Sequence, residues 1–325
     1  MSNNRGERMK KMLTFFILWM LVLAGILSMA GCSMRFRKVR IGTAGIGGNY
    51  YSFGKTFSEF LMGDISTVDV KVISTAGSAE NLKMITGQKP QIDLAIIQAD
   101  ILNEMEEEKD PAIGAVAGMY AEALQIAVRQ DSGIKSVEDL RGKTISLGET
   151  NSGTERNAQV VLEAYGLNDG AYEACHLKYT DASRALEDGT IDAFFCTMGI
   201  PTSSIRTLSG RIPIRLLEVD ADLAEDIMRE HPFYVSFTIP AGTYTGQKKE
   251  VRTIGVKSVL VAHNSLGRDM VNKITNSLFA HAGELKYAVW VDYEPDPREA
   301  VTDLPIPLHD GARSWYEENG IALPQ

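Results

Sequence analysis

The sequence predicts an α/β fold in which parallel-rich sheets, flanked by helices, are shared between two lobes joined by a hinge. Three observations predict it. Short apolar runs of strand length alternate with helical stretches along most of the chain. Its 325 residues are too many for one ordinary core and enough for two. Two strands, Leu124–Arg129 and Thr253–His263, stand where they could carry the chain out of one lobe and back into it, leaving the first lobe discontinuous. On this reading lobe I comprises residues 39–126 and 253–325, and lobe II residues 127–252.

The elements follow in order. Lys38–Ile41 is a short strand, and the helix after it carries Phe53, Phe57, Phe60 and Leu61. Val68, Val70 and Val72 alternate with Asp69 and Lys71, the pattern of a half-buried strand, and a helix starts near Ser78. Ile92–Ile97 is the next strand and Ile101–Glu108 a helix, whose Glu106, Glu107 and Glu108 read as a solvated end. After the strand Leu124–Arg129 come a turn at Asp131–Lys135 and a short capped helix from Ser136. Lys143–Leu147 (strand), Thr154–Tyr165 (helix), Leu177–Thr180 (strand), Ala182–Glu187 (helix) and Ile191–Phe195 (strand) fill the middle. Gly166 and Gly189 fall where helix C-caps belong. Tyr234–Thr245 reads as a surface loop or strand, and Thr253–His263 is followed by one long helix, Leu266–Leu285.

The N-terminus has a different character. Arg5, Arg8, Lys10 and Lys11 precede an uncharged apolar run, Met12–Leu27, and Met29-Ala30-Gly31-Cys32 ends it with small residues before a cysteine. This is the layout of an export signal. The cysteine after Ala-Gly resembles a bacterial lipobox, so residues 1–31 are expected to be removed, Cys32 to carry lipid, and residues 32–38 to act as a linker. The alternative is a single uncleaved anchor, for which the run is close to the lower length limit. The protein is then exported and held at the outer face of the bacterial cytoplasmic membrane.

The net charge is −9, and loss of the four basic residues of the signal makes the remainder more acidic still. That balance argues against nucleic acid or anionic lipid as the main partner. Beyond Cys32 there remain Cys175 and Cys196, which export would permit to pair as a disulfide; two separate buried thiols are the marginally preferred reading. No metal-ligand spacing or CxxC motif occurs, and no cofactor is expected.

The richest local signal is the glycine turn Gly42–Tyr51, containing Gly47, Gly48, Tyr50 and Tyr51, between a strand and a helix. Glycines there let a ligand approach the backbone, and the first amides of the helix lack internal acceptors, so an anion is the natural guest. The turn matches neither a Walker A loop nor a dinucleotide fingerprint: Asn49 stands where Lys is needed and Tyr50 where the last Gly is needed. Alone, it is equally readable as a tight turn. Similar polar turns recur at strand ends: Thr75, Gly77, Ser78 and Asn81; Gln98 and Asp100; Asn151, Ser152, Gly153 and Thr154; Thr197, Gly199 and Pro201. Singly, Ser78 or Ser152 reads as a helix N-cap. Their repetition at the carboxyl ends of strands is what suggests one ligand cleft.

These motifs resemble the TAXI family of TRAP-transporter solute receptors: the glycine turn with Tyr50-Tyr51, Ser74–Leu82, Asp93–Asp100, Ser152-Gly153-Thr154, Asp192–Phe195 with Gly199–Pro201, and Pro307–Ala312 with Tyr316 and Gly320. The resemblance spans residues 39–325. It implies a two-lobed periplasmic-binding-protein fold of type II-like organisation, partnership with TRAP membrane permease subunits, and a small carboxylate or amino-acid-like solute such as glutamate. In that reading Ser78, Ser152, Thr154 and helix N-termini hold the carboxylate without a dedicated Arg, and Tyr50 and Tyr51 add apolar faces and hydroxyl donors.

Other functions are weaker. Ser132-Gly-Ile-Lys135 has the S-x-x-K spacing of penicillin-recognising enzymes, but the companion motifs are absent and a turn explains it better, so no enzyme is expected. A binding protein presenting its solute to a membrane sensor kinase would carry the same pocket. His309, after Pro-Leu, reads as structural.

Overall fold

A computed structural model of the chain describes residues 36–104, 112–289 and 295–324, together with 14–16 and 19–20. The segment up to Arg37 forms a unit of its own, in which residues 14–16 and 19–20 are helical. Cys32 and Glu106–Glu108 lie outside the described residues.

The remainder, Lys38–Gln325, forms the second unit. Its elements begin with β1 (Arg37–Gly42), which belongs to this unit from Lys38 onward, followed by α1 (Asn49–Asp64), β2 (Val68–Ile73), α2 (Ser78–Thr86), β3 (Leu94–Gln98) and α3 (Ala99–Asn103). The strand β4 (Ile113–Arg129) leads to β5 (Thr144–Ser146), α4 (Gly153–Ala164), β6 (Glu173–Cys175), α5 (Tyr179–Asp188), β7 (Ala193–Met198), α6 (Ser203–Ser209), β8 (Ile214–Leu216), α7 (Ala221–Glu230) and β9 (Tyr234–Ile239). Then β10 (Val251–His263) returns the chain to α8 (Arg268–Ala280), α9 (Ala282–Val289) and α10 (Asp310–Glu318).

These ten strands belong to one mixed sheet, ordered β2-β1-β3-β10-β4-β7-β5-β6, with β8 on β4 and β9 on β10. Parallel pairing occupies its two flanks: Ile41 faces Leu94 across β1 and β3, and Ser146 faces Phe194 across β5 and β7. The long β4 and β10 run antiparallel at the centre, from His263 against Ile113 to Gly255 against Ala123, with register shifts around Val259 and Val261. Each end of this pair has different neighbours. Residues 258–262 of β10 pair with β3, whereas its residues 251–256 pair with β9. The second half of β4 pairs with β7.

The buried side chains follow the same division. Val39, Phe53, Phe57, Met119, Leu260 and Tyr316 share one core, and Ile97, Ile113 and Val261 a second, on elements before residue 121 and after 258. Leu124, Val161, Phe195 and Ile254 share a third, and Ala127, Phe194 and Tyr244 a fourth. The change falls inside β4 and β10.

Four sequence expectations are corrected. The strand expected at Leu124–Arg129 begins at Ile113; its first half, rich in Gly and Ala and buried throughout, shows neither high β-propensity nor alternation. The strand expected at Leu177–Thr180 lies upstream at Glu173–Cys175, an edge strand whose exposed Glu173 and Ala174 give little apolar signal. Tyr179 instead starts α5. The long helix after β10 is interrupted at His281, which leaves the helical region and separates α8 from α9. The helix expected at Ile101–Glu108 starts earlier, as α3, and turns at Glu104.

Other readings hold. Gly189 caps α5 in the left-handed region, and Gly166 adopts a similar φ just past α4. His309 caps α10, its Nδ1 accepting from the Gly311 amide at 3.0 Å. Ser132 serves a turn, donating to the Arg129 carbonyl. Cys175 and Cys196 are both free thiols; Cys196 is fully buried as expected, but Cys175, on the edge strand β6, is only half-buried.

Candidate functional site

A cavity of about 490 Å³ opens where four helices begin. It is lined by the first residues of α1 (Gly48, Asn49, Tyr50), α2 (Gly77, Ser78), α4 (Ser152, Gly153, Thr154) and α5 (Lys178, Tyr179, Thr180). The leading amides of a helix have no acceptor within it, and the helix dipole places partial positive charge there. These helices have 16, 9, 12 and 10 residues, long enough for that field to build up.

Each N-terminus is set by local chemistry. Gly77 has φ +128°, which Gly tolerates and other residues rarely adopt. Ser152 caps α4, its Oγ accepting from the Glu155 amide at 3.1 Å. At Gly153 an added Cβ would lie 1.8 Å from Gln98 Oε1, so only glycine allows Gln98 to reach this helix start.

The wall between the helices is built from strand ends. Glu122, on β4, is 2% exposed. Its Oε2 accepts from the Tyr50 hydroxyl at 2.7 Å and from Gln98 Nε2 at 3.0 Å. Burial raises the Glu122 pKa to about 7, against the opposing pull of those two donors. Burial, with Glu122 beside it, also holds the Tyr50 hydroxyl well above its usual value. Glu149 is likewise raised by burial, partly offset by Lys178. Three buried polar atoms of the lining have no partner among the described residues: Gln98 Oε1, Thr197 Oγ1 and Asn49 Nδ2. Such atoms cost free energy unless something satisfies them.

Of the residues singled out in the sequence, Gly47, Gly48, Tyr50, Gly77, Ser78, Gln98, Ser152, Gly153, Thr154 and Thr197 all line this cavity. The Thr154 hydroxyl is occupied within the protein, by Tyr179 and the Thr197 amide, so its backbone amide is the group left for a ligand. Several others support the walls. The Asn81 amide donates to the Thr43 and Ile96 carbonyls, and Thr75 lies 2.8 Å from both Thr43 O and Asn81 Oδ1. Asn151, at φ 63°, accepts from Lys83. Gly199 and Pro201 belong to the turn before α6, where the Gly199 carbonyl accepts from Thr202. Tyr51 is half-buried and off the cavity.

Asp100 also lies elsewhere. Its Oδ2 accepts from Asn157 Nδ2 at 2.8 Å and the Tyr234 hydroxyl at 2.9 Å, beside a separate cavity of about 80 Å³. Burial raises its pKa to about 6. The sequence did not single out Glu122, Lys178 or Tyr179. Glu122 sits in the Ala-rich half of β4 that the pattern did not show as a strand, and Lys178 and Tyr179 in the segment taken for a strand. Among the described residues no group of His, Cys, Asp and Glu is arranged to hold a metal.

A mixed, curled sheet with flanking helices and a cleft at its strand ends, onto which helix N-termini open, defines an α/β periplasmic-binding-protein fold. The chain belongs to the NMT1-like family, whose sequence profile matches residues 41–320. Solved structures agree on the fold. A Bordetella bronchiseptica RB50 protein has a TM-score of 0.58 at 16% identity, covering 87% of this chain and 98% of its own. A Listeria monocytogenes protein named for an L-cystine ABC transporter has a TM-score of 0.51 at 14% identity, covering 80% and 98%. The alkanesulfonate-binding protein SsuA of Xanthomonas axonopodis pv. citri, bound to MOPS, has a TM-score of 0.50 at 16% identity, covering 88% and 80%.

Proposed function

We propose that the protein is the extracytoplasmic solute receptor of a TAXI-type TRAP transporter, anchored by lipid at Cys32, which captures a small carboxylate-bearing solute and delivers it to a membrane permease. The observation that carries this reading is the opening of four helix N-termini onto one cavity whose wall holds unpartnered buried polar atoms. That arrangement suits an anion held by backbone amides. A sulfonate, the ligand class in the name of the Xanthomonas protein, presents a comparable delocalised anion. The two lobes of the reading are residues 39–126 with 253–325, and 127–252. The change of core partners inside β4 and β10 supports that division. Contacts from both lobes favour the closed state, so the solute shifts the population toward closure. The TRAP assignment rests on the sequence resemblance, and no catalytic step is assigned to the cavity.

The test is a thermal-shift screen of the full-length protein in detergent, after unfolding and refolding to strip carried-over solute. Amino acids, dicarboxylates, keto acids and sulfonates form the panel. A solute at about 100 times its Kd adds about 2.7 kcal/mol of stability. A shift with a small carboxylate is the expected result, and no shift with any anion overturns the receptor reading. Co-purification then separates TRAP permease subunits from the ABC type named for the Listeria protein.

A further inference from the structure

We propose that Glu122 is a specificity-determining residue of this cavity: with the Gln98 carbonyl it receives an ammonium group of the solute, so that the receptor selects a zwitterion over the same acid lacking its amino group. The inference rests on the receptor reading of the cavity and adds to it the second functional group of the ligand.

The helix N-termini provide for one anionic end, and the rest of the wall asks for a donor. Both bonds to Glu122 end on Oε2, and Oε1 accepts from none of the described residues. Gln98 turns its amide nitrogen toward Glu122 and leaves Oε1 buried and unpartnered. Glu149 adds a third acidic or acceptor group to the lining, and among the described residues Lys178 is its only basic side chain. Lys178 already faces Glu149 electrostatically. A carboxylate of the solute set directly against Glu122 and Gln98 Oε1 would meet acceptors with no donor between them. An ammonium brings three donors and a compensating charge.

The acceptors also stand close to the amides. Tyr50, in the first turn of α1, bonds directly to Glu122, and Gln98 Oε1 lies against Gly153, the first residue of α4. An anionic group and an ammonium on neighbouring atoms of one small molecule would meet both. Burial makes the Glu122 carboxyl reluctant to ionise, and an ammonium bound beside it would oppose that shift.

Calorimetry on the full-length protein in detergent would compare matched pairs: L-glutamate with glutarate, and 2-aminoethanesulfonate with ethanesulfonate. In the wild type the amino member of at least one pair is expected to bind tenfold or more tightly than its partner. Glu122→Gln should bring that ratio close to one. Glu122→Asp, which keeps the charge but withdraws it by one methylene, should reduce it in part and serves if the Gln variant fails to fold, as judged by circular dichroism. Equal binding within each pair, or a ratio that survives in a folded Glu122→Gln protein, would overturn the assignment while leaving the receptor reading intact. No binding by any member overturns both.

Discussion

Gly153 and Glu122 show how single positions set this cavity. A methyl group at residue 153 would overlap the Gln98 amide, with 1.8 Å to Oε1 and 2.5 Å to Cδ. Gly153→Ala is therefore expected to push Gln98 off Glu122, cost about 1–3 kcal/mol of stability by overpacking, and weaken solute binding tenfold or more; melting curves and calorimetry read both. Buried carboxyls give a pH signature. Glu122 titrates at about 7 and Asp100 at about 6 in the folded protein, both raised by burial. A raised carboxyl binds its proton more tightly folded than unfolded, so its favourable contribution is complete at low pH and is lost as pH rises through the folded value. The melting temperature is thus expected to fall between pH 5 and pH 8, because each tenfold difference in proton affinity between the folded and unfolded chain is worth about 1.4 kcal/mol. Glu122→Gln should flatten that profile above pH 6. Asp131, Asp139 and Glu318 are shifted downward by surface hydrogen bonds and act only in more acid solution.

The helix starts act as units. Glycine turns at α1 and α2 and the Ser152 cap at α4 set three helix starts that open, with that of α5, onto one space, and the strand ends before them fix their spacing. Ser152 both caps α4 and faces the cavity. Ser152→Ala is expected to cost about 1 kcal/mol of stability through the lost cap and to weaken anion binding at the same time. Loss of stability with unchanged affinity would place the anion away from α4. The motif pattern pointed to three of these four N-termini, because Gly, Ser and Thr before an apolar run mark a helix start. The fourth, at Lys178-Tyr179, carries no such mark: its cap residue is Lys178, without a capping side-chain bond, and only the placement of β6 upstream reveals it.

Across the protein, several contacts join elements before β4 to elements after it. Asp100 on α3 holds Asn157 on α4 and Tyr234 on β9. Glu104 pairs with Arg156 at 2.6 Å, and Lys83 donates to Asn151. In a two-lobed receptor these contacts would act on closure without touching the solute. Removing both donors, Asn157→Ala with Tyr234→Phe, leaves a buried carboxyl short of partners at a cost of about 1–3 kcal/mol. The double variant is expected to show a larger radius of gyration in small-angle scattering and a tenfold or greater loss of affinity. An unchanged radius would show that this cluster supports only local stability.

Periodicity and turn chemistry made the α/β class, most strands, and ten of the cavity's lining residues legible before any coordinates, because strand ends, glycine turns and N-caps are local signals. Single-position burial is not local. Nothing in Met119–Gln125 marks Glu122 as a buried acid, since its environment is made by Tyr50, 72 residues earlier, and Gln98, 24 residues earlier. The same holds in reverse for Asp100, which follows a strand like a ligand residue but is drawn to Tyr234, 134 residues away. The side chains that meet one another were decided by the long antiparallel pair β4 and β10, which brings distant segments of the chain to one cleft.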